Sequence, residues 1–251
     1  MQTDRIYTGD CLDILSKFSS GCAHLISADE PFNIGLPYPD HDDSLPEPEY
    51  LDGLRSRFRA YRRVLAPSGS LVVFIDPKHL PPVGVMLAEL GFHWRNTIVW
   101  HYNFGRAQET KLTPSWTALL HVVKDLAYCK FRGADPDLRI PSARQTTYND
   151  GRANPEGKVL PDVWSDIPRL TANHPEWCGY PTQLPLALTD RVIRLFSDPG
   201  DLVLDPMCGT GTSLLSAKRL GRHWLGIDKS PVAVAIAERR LSNECVPLFA
   251  S

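Results

Sequence analysis

The sequence predicts an α/β protein built around one mostly parallel sheet, and three observations carry that expectation. Short apolar runs of strand length alternate with stretches of helical spacing. Near the far end, Leu202-Val203-Leu204 passes through Asp205 and Pro206 into a tight Gly209-Thr210-Gly211 turn, then into a helical stretch from Thr212 to Leu220. A second short strand, His223 to Ile227, follows and stops at Asp228. Strand, glycine turn, helix, strand and acid together form half of a nucleotide-binding crevice.

The chemistry of that unit narrows its ligand. Two glycines fall short of the full dinucleotide fingerprint, and the absence of Gly-Lys-Ser/Thr excludes a P-loop. A helix N-terminus preceded by Asp205 is a poor pyrophosphate cradle, because a carboxylate stands where phosphate charge would go. It suits a ligand bearing an ammonium and a sulfonium. Asp228, after the second strand, is placed to accept hydrogen bonds from ribose hydroxyls.

Taken in order, Ile6-Tyr7-Thr8 reads as a strand ending at Gly9-Asp10, with Asp10 or Asp13 capping a helix that ends near Phe18. His24 to Ala28 is the next strand, and it runs straight into Asp29-Glu30-Pro31-Phe32-Asn33-Ile34-Gly35. An acid, a proline, an aromatic and an asparagine then sit at a strand's carboxyl end, where open α/β sheets do their chemistry. Leu36 to Pro48 is acidic and proline-rich, and reads as a mobile loop beside that point. Glu49 to Leu65 has helical spacing, with Tyr50, Leu54, Phe58, Tyr61 and Leu65 sharing a face. Pro67-Ser68-Gly69 turns the chain into the strand Ser70–Ile75. A helix over Val83–Leu90, stopped by Gly91, and a strand over Trp94–Trp100 extend the sheet by further crossovers.

From His101 to Gly179 the alternation fails. Leu119–Val123 and Ala127-Tyr128-Cys129 have strand character, while the rest is rich in Asn, Pro and Gly with interleaved bases. It reads as an inserted recognition region, or equally as a solvated excursion packed by Trp116, Tyr148 and Trp164. Pro185 then begins a helix that packs Leu188, Val192, Leu195 and Phe196 inward.

Composition sets the bounds. The 251 residues suffice for one large α/β domain with an insertion, and a net charge of -2 supplies no global attraction to polyanions. The six cysteines, without Cys-x-x-Cys spacing, read as cytosolic thiols rather than disulfides or a zinc site. No apolar run approaches membrane-spanning length.

The two unusual stretches together resemble one family, the amino-group DNA methyltransferases of the beta arrangement, in which the catalytic half precedes the cofactor half. LVLDPMCGTGTS resembles the glycine motif that binds S-adenosyl-L-methionine, with Asp228 in the ribose position. Gly9-Asp10-Cys11 is similar to the motif whose acid lies beside the adenine ring. Asp29-Glu30-Pro31-Phe32 falls on the Asp-Pro-Pro-Tyr/Phe catalytic motif. Tyr180-Pro181-Thr182-Gln183-Leu184-Pro185 resembles His-Pro-Thr-Gln-Lys-Pro, whose Thr and Gln hold the cofactor's methionine end. The resemblance implies a Rossmann-like, S-adenosylmethionine-dependent methyltransferase fold with permuted motif order, seven strands and one antiparallel edge strand. Residues 1–100 and 180–251 would form the catalytic and cofactor-binding domain, and 101–179 the target-recognition region. It implies cofactor contacts from Asp10, Thr182, Gln183, Asp205, Cys208, Gly209, Gly211 and Asp228. Catalysis would fall to Asp29, Glu30, Pro31 and Phe32, with no metal. Double-stranded DNA is the expected partner, met by Arg139, Arg144 and Arg152. A homodimer and a cytoplasmic setting follow at the family level.

An exocyclic base amine has its lone pair delocalised into the ring, and within stacked duplex it cannot be reached, so the base must be flipped out. Asp29 and the backbone carbonyl of residue 30 would accept the two amine hydrogen bonds, and Phe32 would stack on the base. An Asp at the head of the motif favours adenine N6 over cytosine N4. Glu30, in place of proline, puts a carboxylate near the sulfonium. Two other readings stay open: cytosine-N4 transfer, and a non-catalytic relative that binds cofactor and DNA.

Overall fold

The computed structural model describes residues 2–36, 42–102, 109–110, 112–180 and 182–242. Its eight strands are β1 (Arg5–Thr8), β2 (Ala23–Asp29), β3 (Leu65–Ile75), β4 (His93–His101), β5 (Trp116–Val123), β6 (Val163–Trp164), β7 (Leu202–Asp205) and β8 (His223–Asp228). They form one sheet in the order β1-β8-β7-β2-β3-β5-β4-β6. Every pairing is parallel except those of β5, which runs antiparallel to both β3 and β4.

Two expectations are corrected by that order. The antiparallel strand is interior rather than at an edge, and β4 does not extend the sheet directly from β3. The cause lies in β5 itself: all of its residues after Trp116 are buried, so it can be covered on both faces as only an inner strand is. Residues 116–123 therefore belong to the sheet, although they fall inside the 101–179 stretch. Two-residue β6 adds an eighth strand beside β4.

The longer helices divide between the two faces. On one side lie α1 (Cys11–Leu15), α2 (Glu47–Val64) and α3 (Leu80–Glu89), packed on Ile26, Ala28, Leu71, Val73 and Ile75. On the other lie α5 (Leu186–Phe196), α6 (Thr212–Arg219) and α7 (Pro231–Ser242), packed on Leu25, Val72, Phe74 and Val203. Alternate residues of β3 thus serve opposite cores, as the pleat requires. Helix α2 is fixed by Glu47 and Glu49 in its first turn, Arg62 and Arg63 in its last, and a buried stripe of Tyr50, Leu54, Phe58, Tyr61 and Val64. The short α4 (Ala143–Thr146) is held by a Ser142–Gln145 capping box.

Smaller differences have local causes. The Pro67–Gly69 turn is absorbed as a bulge in β3, because Ala23 pairs with Leu65 and Leu25 with Ser70. Ala127–Cys129 is no strand: Asp125 Oδ1 accepts from Ala127 N at 2.9 Å and curls the chain into a turn. Tyr148 is 74% exposed, whereas Trp164 is buried.

Candidate active site

Strands β7 and β2 are parallel neighbours, with Val203 opposite Leu25, yet β7 leads to a helix on one face and β2 to a helix on the other. Such a switch point opens a crevice beyond the carboxyl ends of the strands. Here it is a cleft of about 1120 Å³. Asp29, Glu30, Pro31 and Phe32 line it from the end of β2, and Asp205, Cys208 and Gly209 from the end of β7. Asp10 and Asp228 face it from β1 and β8, which align Thr8 with Asp228. Thr182 and Gln183 complete the wall.

The glycine turn is built to leave its backbone open. Gly211 has φ 73°, and a Cβ there would lie 2.9 Å from Ala237 Cβ, so no other residue fits without displacement. It caps α6 from behind and does not line the cleft. Asp228 accepts from Gly209 N at 2.7 Å with one oxygen and from Ser230 N at 2.8 Å with the other. It therefore fixes the turn as well as facing the ligand space. Asp10 caps α1, accepting from Leu12 N at 2.8 Å. Asp205 accepts from the Ser213 hydroxyl and from Met207 N. Burial raises its pKa to about 7, with Asp228 and Glu30 adding to the rise.

Two of the expected cofactor residues hold the protein rather than present a side chain. The Cys208 thiol packs in the second core, where burial and then Asp205 push its pKa well up. Gln183 donates to Glu176 O at 2.6 Å and accepts from Cys178 N at 2.9 Å, so its amide pins the 176–178 loop. Thr182 stands in the left-handed region at φ 60°, and Pro181 lies outside the described residues.

On the other side, Asp29 has an open acceptor: no described residue donates to its carboxylate. Burial, then Asp205, then Glu30 raise its pKa well above the usual range. The Glu30 carboxylate is engaged from α2. It is fully buried beneath the loop, accepting from Arg57 Nε at 2.8 Å and from Tyr61 OH at 2.8 Å. Charge pairing and the tyrosine hydroxyl hold it against α2, whose Arg57 also lines the cleft. Tyr50 OH donates to Pro31 O at 2.8 Å. Asn33, at φ 53°, donates its backbone N–H to Asp43 at 2.8 Å, and its carbonyl accepts from Lys78 Nζ at 2.8 Å. Asp43 also accepts from Ile34 N and Leu36 N, so the loop expected to be mobile is pinned at this end. Residues 37–41 of that loop lie outside the described residues.

A glycine turn flanked by Asp205 and Asp228, together with an open Asp29, suits a cationic nucleoside ligand and a hydrogen-bond-donating amine. A model of the DNA methylase family, N6/N4 type, matches residues 23–239. The chain belongs to the N6/N4 DNA methylase family. DNA adenine methyltransferase YhdJ of Escherichia coli (strain K12) is 32% identical over 242 residues, covering 94% of this chain and 82% of that one. Type II methyltransferase M.HpaI of Haemophilus parainfluenzae is 29% identical over 247 residues, covering 96% and 74%. The solved structure of a DNA modification methylase from Thermus thermophilus, complexed with S-adenosyl-L-methionine, superposes with TM-score 0.70 at 27% identity, covering 98% of this chain and 95% of that one. The chain is thus a DNA methyltransferase of the S-adenosylmethionine-dependent fold, and DNA is its macromolecular partner.

The methylase does not gather the three arginines expected to meet DNA, and none lines the cleft. Arg139 is turned to Gly157 O at 3.3 Å and Glu156 at 3.7 Å. Arg152 is occupied by Asp150 at 2.9 Å. Arg144 is exposed on α4, with no side-chain partner among the described residues. Among the described residues of the insert, the cation that lines the cleft is Arg169, 5.0 Å from the ring centroid of Tyr102, whose hydroxyl bonds Thr117. Sequence reasoning also missed Arg57 and Arg240. Arg57 carried a readable signal, a charge seven residues after Tyr50 and four before Tyr61, on the apolar face of α2. Arg240, from α7, donates to Thr210 O and to Thr212 Oγ1 at 3.0 Å and so braces the glycine turn. It carried none, because α7 itself was not foreseen.

Proposed function

We propose that the methylase transfers a methyl group to the exocyclic N6 of an adenine flipped out of double-stranded DNA. The observation that carries this reading is Asp29: an acceptor without a donor among the described residues, at the switch point, followed by Pro31 and Phe32. The bound cofactor supplies the methyl as a sulfonium. Asp29 accepts one amine hydrogen bond and the carbonyl of Glu30 the other, which localises the nitrogen lone pair and stabilises the charge that develops on it. Phe32, half-buried against the second core, offers its ring to the base. Asp228 and Asp10 hold the ribose and adenine ends of the cofactor, and Thr182 its methionine end.

Adenine is favoured over cytosine by the aspartate at the head of the motif and by likeness to a relative named for adenine. Glu30 is no obstacle to activity, since its carboxylate lies under the loop and its carbonyl is the group required. The 101–179 stretch, apart from its sheet strands, supplies the target-recognition surface, with Arg144 as one phosphate-binding cation. A cytoplasmic setting and a homodimer belong to the same proposal, although one chain completes the cleft. Nucleoside analysis after transfer from labelled cofactor to mixed-sequence DNA tests the reading. N6-methyladenine is expected; N4-methylcytosine alone would overturn the base assignment, and no product would favour a non-catalytic relative.

A further inference from the structure

The catalytic loop rests on one face of α2. Tyr50, Arg57 and Tyr61, spaced by seven and four residues, all point to it: Tyr50 OH reaches Pro31 O, while Arg57 and Tyr61 reach the two oxygens of Glu30. The ion pair is deeply placed, with side-chain exposures of 0% for Glu30 and 18% for Arg57. Burial works against the charge of Arg57, and the Glu30 carboxylate more than offsets it.

Such a pair is weak evidence for stability, because two apolar groups of similar volume would serve as well or better. Its placement gives it another use. Glu30 follows the acceptor Asp29 and carries the second acceptor on its own backbone. In the motif that this stretch resembles, a proline ring fixes φ at this position; here nothing covalent does. We infer that Glu30, Arg57 and Tyr61 form a tether that replaces the proline, holding the residue-30 carbonyl on its line to the target amine from beneath the cleft. Arg57 and Tyr61 are positioning residues, since the carbonyl and Asp29 are the groups that meet the substrate. The inference rests on the reading of Asp29 and that carbonyl as amine acceptors.

The test compares single-turnover methyl transfer to DNA, calorimetric S-adenosylmethionine affinity and thermal unfolding in the full chain. Arg57→Leu should slow transfer by about ten- to a hundredfold, as expected for a misaligned acceptor, with cofactor affinity changed by less than about threefold. Arg57→Lys should recover much of the rate. Glu30→Pro combined with Arg57→Leu should recover it too, by restoring a fixed φ while removing both charges. A folded Arg57→Leu protein with the natural rate, or one losing rate and cofactor affinity in equal proportion, overturns the tether. If Arg57→Leu does not fold, Tyr61→Phe carries the test, because it removes one bond without stranding a charge. Slower transfer at unchanged affinity is then expected, and an unchanged rate overturns the proposal. Asp29→Ala separates the two failures. If it still transfers, the acceptor reading is wrong; if it is silent while Arg57→Leu is fully active, only the tether is wrong.

Discussion

At the scale of single residues, the cleft is defined by carboxylates gathered at strand ends. Asp205, with its pKa raised to about 7 by burial, binds a proton in the folded chain that the unfolded chain has released by about pH 5. Its contribution to stability is therefore full below about pH 4 and is lost as pH rises through about 7. A cationic cofactor prefers the ionised form. S-adenosylmethionine should thus bind with proton release near pH 6 and tighten toward pH 7, by at most about tenfold per unit. Calorimetry at pH 6 in two buffers of different ionisation heat measures this directly. Affinity flat from pH 5.5 to 8, with no proton released, would show that Asp205 is not coupled to the ligand. Asp228→Ala should weaken cofactor binding by about 1–3 kcal/mol, because it removes a ligand acceptor and leaves Gly209 N–H without its partner. Unchanged affinity would remove Asp228 from the role. Asp29, Asp205 and Asp228 were legible as cleft acids because strand ends and turn glycines fix where they stand. The partner of Glu30 was not, since a side chain's choice among distant helices is made by packing.

At the scale of elements, α6 and β8 approach so closely that a side chain at Gly226 has no room. A Cβ there would lie 2.4 Å from Leu214 Cδ1 and 3.0 Å from Cys208 Sγ. Gly226→Ala should cost about 1–3 kcal/mol by overpacking and loosen the glycine turn above it. Denaturant unfolding and cofactor titration of the same protein would read both effects; unaltered stability would mean that the sheet yields. Breaking the Glu30–Arg57 pair by Arg57→Leu should cost about 3–5 kcal/mol, whereas removing both charges should be nearly neutral. Helices α2, α5 and α6 were legible from spacing because each buries one stripe against the sheet. Helix α7 went unseen: its alanine-rich stretch has a weak apolar stripe, and its start rests on Ser230 Oγ accepting from Ala233 N.

Across the whole molecule, the parallel half of the sheet was readable because each strand is followed by a helix of the right length. The place of β5 was not, because antiparallel insertion between β3 and β4 depends on pairing that no local pattern records. Nor could the sequence show which of the bases interleaved through the insert stay available: Lys130, Arg132, Arg139 and Arg152 are largely spent on neighbouring acids. With a net charge of -2, DNA binding should be modest and fall steeply with salt. Arg144→Gln should lower the salt slope by about one, and an unchanged slope would place the phosphate contacts elsewhere. The central claim is that Asp29 serves the target amine and not the cofactor. Its most direct test is Asp29→Ala, measured for S-adenosylmethionine affinity by calorimetry and for single-turnover methyl transfer to DNA on the same preparation. Nearly natural affinity with transfer abolished is the predicted result; equal losses in both, or transfer retained, would contradict it.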